Sequence, residues 1–286
     1  MAQRKFMADV SYTLSIESGL SRLSLEESIF ADSIDTFKTI LPGLSTKITD
    51  VLASIENMMK TNTVQESKLT QSSKKLRVKL PEIKYGNVEK MLVSIPAGFN
   101  GSLVLYVRDL NSLASGVYKE TLETIQDYHV ILSSFITNKE VQTSFETHKN
   151  FLDRVSGARS LIEEKMKHYY PENSSATKTY FGKVVDRMAD MDVLIRSTEE
   201  LYSSHNAANL NEINKRVKMV VELMDIVIKQ IASQDITKVS SKVAKGISEG
   251  AYGLARHIEQ VAAFNFQCEL AIGAVVDLVE KLEEVS

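Results

Sequence analysis

Apolar residues along this chain recur mainly at helical spacing. Over residues 5–41 the period predicts helix in two pieces. The second opens on a Ser24–Glu27 capping box ahead of Ile29, Phe30, Ile34, Phe37 and Ile40. Leu41, Pro42 and Gly43 are expected to stop it. A further helix is predicted from about Ser45, on Ile48, Val51, Leu52, Ile55, Met58 and Met59.

The pattern then changes. Residues 60–73 hold one Val and one Leu and show no period, which reads as a solvated linker. Leu76, Val78 and Leu80 alternate with Lys75, Arg77 and Lys79, a period of two that predicts a strand with one wet face, closed by Pro81. A second apolar run, Met91–Ile95, ends at Pro96, and Tyr85, Gly86 and Asn87 lie between the two with turn chemistry. Together these predict a β-hairpin near residues 74–95.

From Ser102 onward helical spacing returns. Helices are expected over about 102–136, 141–170, 184–201, 213–231 and 237–284, with PENSSATKT as a loop and 206–209 as a turn. The last segment is the most regular. Leu254, Ile258, Val261, Asn265, Cys268, Ile272, Val275, Val279 and Leu282 alternate by four and three, a heptad seam with Asn265 at an a position. Gly246, Gly250 and Gly253 lie upstream on the same stretch, where small residues allow close helix approach. The expected fold class is therefore mainly α: an elongated antiparallel helical bundle with long helices and a small β-hairpin insertion near 74–95. Its parts are N-terminal helices over 1–60, a polar linker with the hairpin over 61–100, and a long-helix bundle over 101–286.

Composition agrees. The 286 residues include only 4 Pro and 12 Gly, below the usual shares of about 5% and about 7%. Few breakers favour long helices over a sandwich, a barrel or a doubly wound sheet. Net charge is −3, against a basic nucleic-acid binder as a whole-chain reading. A single cysteine, Cys268, excludes an intramolecular disulfide and a Cys-based zinc site. The N-terminus lacks an uninterrupted apolar stretch and is not expected to be a signal peptide. The most apolar stretch, 262–276, contains Asn265, Gln267 and Glu269, and is expected to be too short and too polar to span a bilayer.

Catalytic spacing is missing. No H-E-x-x-H or E-x-x-H pair occurs, so a bundle di-iron site is not expected. Glu164 and His168 are four apart and read first as a surface pair. The PAGFNG stretch lacks the Lys of a phosphate loop and reads as a loop feeding the next helix, where an anion could sit on free amides. Cys268, in the seam, reads as a packed thiol. Tyr169, Tyr170, Tyr180 and Phe181 flank the PENSSATKT loop, either as a contact surface or as its staple.

Two features carry functional readings. The run Lys68, Lys74, Lys75, Arg77, Lys79 and Lys84 makes a basic edge, which either protects an exposed strand or docks phosphate or an acidic protein face. The heptad seam either packs within the chain or associates with itself or a partner helix through Leu254, Ile258, Val261, Asn265, Ile272, Val275 and Val279. The leading expectation is a non-enzymatic structural or assembly protein in a larger particle, of which a virus or bacteriophage virion is one instance. Its partners would be itself or other protein subunits. Nucleic acid or an anionic surface has weaker support. The alternative is a helical adaptor or regulatory module docking through Lys74, Lys75, Arg77, Lys79 and Lys84. A helical enzyme using pairs such as Glu164 and His168 comes third. No cofactor is expected, and the place of action is expected to be the cytoplasm or an intracellularly assembled particle.

Overall fold

Strong apolar periodicity over long, breaker-poor segments gives long helices. A computed structural model describes residues 34–96, 99, 101–138, 176–202, 207–233 and 241–285. In chain order these form α1 (Ile34–Lys79), a 3-10 turn (Leu80–Glu82), a single helical turn α2 (Tyr85–Val88), β1 (Leu92–Pro96) and α3 (Leu103–Asn138). Then come β2 (Ala176–Tyr180), a second 3-10 turn (Phe181–Lys183), α4 (Ala189–Glu200), α5 (Ala207–Ser233) and α6 (Ser241–Val285). The chain is mainly α with one small two-stranded antiparallel sheet.

The expected helix over 102–136 is α3, and those over 184–201, 213–231 and 237–284 are α4, α5 and α6, with ends moved by a few residues. The helices expected before residue 34 and over 141–170 lie outside the described residues, as do Glu164, His168, Tyr169 and Tyr170.

Three expectations are corrected. Pro42 and Gly43 do not end a helix; α1 runs through them. An interior proline costs about 3 kcal/mol, but the buried side chains of Leu41, Leu44 and Ile48 on either side offset that at about 1.5–3 kcal/mol each. Residues 60–73 are not a linker but the middle of α1. Residues 74–79 are not a strand but its last turns, so β1 pairs with a distant segment. The register sets Leu92 against Tyr180, Val93 against Thr179 and Ile95 against Thr177. The ATKTY segment is therefore a strand, although its residues lie partly in the stretch read as a loop.

The described residues divide into two compact units. The first gathers α1 up to Ile55, α3 from Val117, α5 from Asn211 and α6 up to Ala262. Here Ser45 donates to Asp225 (3.4 Å), Lys47 pairs with Glu259 (2.5 Å) and the Tyr128 hydroxyl donates to the Ile247 carbonyl (3.0 Å). Thr121 meets His257 seven residues before Tyr128 meets Ile247, so α3 and α6 run antiparallel.

The second unit gathers the rest of α1, α3 up to Gly116, the sheet, α4 and α6 from Ala263. Asn111 of α3 donates to the Ser197 carbonyl of α4 (2.6 Å), and Tyr106 donates to Gln267 Oε1 on α6 (2.6 Å). Gly273 faces Gln65 and Lys75 pairs with Glu283 (2.9 Å), so α1 and α6 run parallel here. Val93 and Ile95 turn the sheet's inner side to the core. Gly101, at φ 120°, makes the turn into α3 that a side chain would strain.

Candidate functional site

The heptad seam comes first. Leu254, Ile258, Val261, Asn265, Ile272, Val275 and Val279 are all fully buried within the chain. Burial exceeds what a two-position seam requires: Phe264, Asn265, Phe266, Gln267 and Cys268 are buried in succession. A helix buried on all sides belongs to a core, whereas an association helix keeps one stripe for its partner. Of the two readings, the structure shows the seam packed intramolecularly.

Burial also decides the chemistry of α6. Cys268 is enclosed, and burial pushes its thiol far above the usual range, so no reactive thiolate forms. His257 contacts the Thr121 hydroxyl through Nε2 at 2.8 Å. The Thr121 proton goes to the Val117 carbonyl at 2.6 Å, so Thr121 accepts from His257 Nε2–H. Nδ1 is then a buried acceptor with no hydrogen-bond partner among the described residues. Burial pulls this imidazole down to about 4. On the same helix, burial pushes half-buried Glu269 up to about 7, while burial first, and then the charges of Glu66 and Glu269, hold Tyr202 above its usual value.

These two groups give opposite pH dependences. The neutral His257 stabilises the fold fully above about 6.5, and that stability is lost as pH falls toward 4. The protonated Glu269 stabilises it fully below about 4.5, and that stability is lost as pH rises through about 7. A carboxyl moved that far corresponds to about 3 kcal/mol at most. We expect Glu269→Gln to raise the melting temperature at pH 8 and to leave it nearly unchanged at pH 4.5. Equal effects at both pH values would show that the fold leaves the Glu269 carboxyl at its ordinary value.

The basic edge exists, but on a helix. Lys74, Lys75, Arg77 and Lys79 lie in the last turns of α1, and Lys84 lies in the loop beyond. Arg77 turns inward and bridges Glu199 (2.9 Å) and Asp192 (3.3 Å) of α4, with Ser73 also on Glu199. Lys75 pairs with Glu283. The edge is thus partly neutralised by its own chain. Lys74, Lys79 and Lys84 have no ion pair among the described residues.

Phe181 is buried and packs against Tyr85 at 6.0 Å, while Tyr180 is exposed beside Leu92. Of the two flanking aromatics described, Phe181 is thus a staple and Tyr180 lies at the surface. The amide of Leu103, first residue of α3, donates to the Val184 carbonyl, so it is not open to an anion. Among the described residues no group of three or more His, Cys, Asp or Glu is placed to hold a metal.

Among the described residues one stretch, Gly250–Val285, is long and apolar enough to cross a membrane by length and composition; 67% of its most apolar part is buried within the chain. The core helix of a bundle has the same composition.

The fold and these sites define a mainly helical protein in which the apolar seam of α6 is enclosed. No protein-family description, curated protein or solved structure matches the chain.

Proposed function

We propose that this chain is a non-enzymatic structural protein that joins a larger particle by helix–helix association with other subunits. The carrying observation is where its apolar side chains go. The seam of α6 is spent on the chain's own core, which leaves a self-sufficient helical scaffold. Among the described residues, most of the large apolar side chains left in solvent lie in the second unit: Val64 and Val78 on α1, Leu92 and Tyr180 on the sheet, Leu105, Val193 and Val285, against Val130, Met219 and Ile226 in the first. Association therefore uses the surface of that unit and leaves the buried seam undisturbed. A virion component remains one instance of such a particle.

Density-gradient sedimentation of material from the native source tests this reading. The chain is expected in a particle far heavier than its own 31.9 kDa, at fixed stoichiometry to other subunits. Recovery only as a free monomer would overturn the reading.

A further inference from the structure

The second half of α1 is held to its unit by few apolar contacts. Between residues 63 and 79 the fully buried side chains are Leu69, Ser73 and Leu76. Gln65, Ser72, Arg77 and Lys79 flank these half-buried, and the opposite side of the helix faces solvent. Val64 is 59% exposed and Val78 is 78% exposed, the most exposed large apolar side chain described. They are two heptads apart and so share one face, about 21 Å apart along the axis. Exposed Lys68, Gln71, Lys74 and Lys75 fill the face between them; Glu66 is the one acid of this stretch, while α6 sets Glu283 on Lys75 and the charge of Asp277 near Lys68, so the row keeps a net positive charge that centres on Lys74 and Lys68.

We infer that this outward row of α1 docks an acidic amphipathic helix of a partner protein, with small apolar residues at its two ends and carboxylates between them. The inference rests on the proposed association and adds its site and its partner chemistry.

Charge excludes the simplest occupant, a second copy. An antiparallel pairing that sets Val64 against Val78 centres on Gln71 and opposes Lys68 to Lys74. A parallel pairing opposes each lysine to itself. Like charges so placed repel, and they select against self-association. Helix Glu–Lys pairs across the same row attract and fix register. A lipid surface fits less well, because an interfacial helix needs a broad apolar face with large side chains. This row offers two valines.

The test uses the full chain and a fluorescein-labelled synthetic helix carrying valines two heptads apart and four glutamates between them. Anisotropy is expected to show saturable binding that weakens with salt. Lys68→Glu with Lys74→Glu should weaken it roughly tenfold or more, with the helical fold kept and the melting temperature lowered only slightly, because both side chains are exposed and only Lys68 acts on a neighbouring acid, Asp277. A peptide with lysines for the glutamates should then bind the charge-reversed variant. Equal binding of a scrambled acidic peptide, or no effect of the charge reversal, would overturn the inference. So would vesicles of phosphatidylcholine and phosphatidylserine binding the chain through the same lysines. A doubled mass in light scattering that Val78→Asp abolishes would also overturn it, in favour of a second copy. If the heavy particle forms and the peptide fails to bind, this surface is wrong and the proposed function stands.

Discussion

Ile258→Asp combined with Ile272→Asp should unfold the chain rather than dissociate an oligomer. Both isoleucines lie on α6 with no solvent exposure. Removing each side chain from the core costs about 2–5 kcal/mol. An aspartate in its place adds the desolvation of a carboxylate with no cation built to meet it. Two such sites together cost about as much as the 5–15 kcal/mol that a native domain has to lose. Circular dichroism and light scattering on the double variant should show lost helix and aggregation. The milder pair Ile258→Val and Ile272→Val should keep the fold, each costing about 1 kcal/mol. A soluble, helical double-aspartate variant would mean that the seam faces outward, and the burial of α6 would be wrong.

The seam shows what a sequence can carry. A four-three alternation identifies the buried positions of α6, because any helix packed along others needs apolar residues at that spacing. It cannot say whose helices supply the packing. The answer lay in the residues between the seam positions: Phe264, Phe266 and Ala271 make α6 apolar on further sides, a sign of a core helix.

The end of α1 failed for the opposite reason. Leu69 and Leu76 are one heptad apart and are the only fully buried apolar side chains described in it past Ile55. Two leucines in so long a polar stretch make no visible period. The alternation of Leu76, Val78 and Leu80 imitated a strand, although Val78 points to solvent. Arg77 holds that end through Asp192 and Glu199, but all three side chains are about one-third exposed. Such pairs contribute about 0–1 kcal/mol each, so the leucines dominate. The partner strand of β1 lay more than eighty residues downstream in a polar segment, where only tertiary pairing reveals it.

Among the glycines whose surroundings are described, Gly250→Val is expected to be the most damaging change. A Cβ at Gly250 would stand 2.5 Å and 2.7 Å from two ring carbons of Tyr128. The ring cannot retreat easily, since it is fully buried and its hydroxyl is bonded to the Ile247 carbonyl one turn earlier on α6. The glycine of the Gly246, Gly250 and Gly253 stretch therefore admits a tyrosine ring from α3. Helix propensity alone would favour Gly250→Ala by about 1 kcal/mol. Overpacking costs about 1–3 kcal/mol, so a net loss is expected for alanine and a larger one for valine. The second arm of a double-mutant cycle separates the two effects. With Tyr128→Leu in place, the ring is gone, and Gly250→Ala should become neutral or stabilising by urea denaturation. If Gly250→Ala stabilises the chain with Tyr128 intact, the ring does not sit over Gly250, and the α3–α6 packing of the first unit is in error.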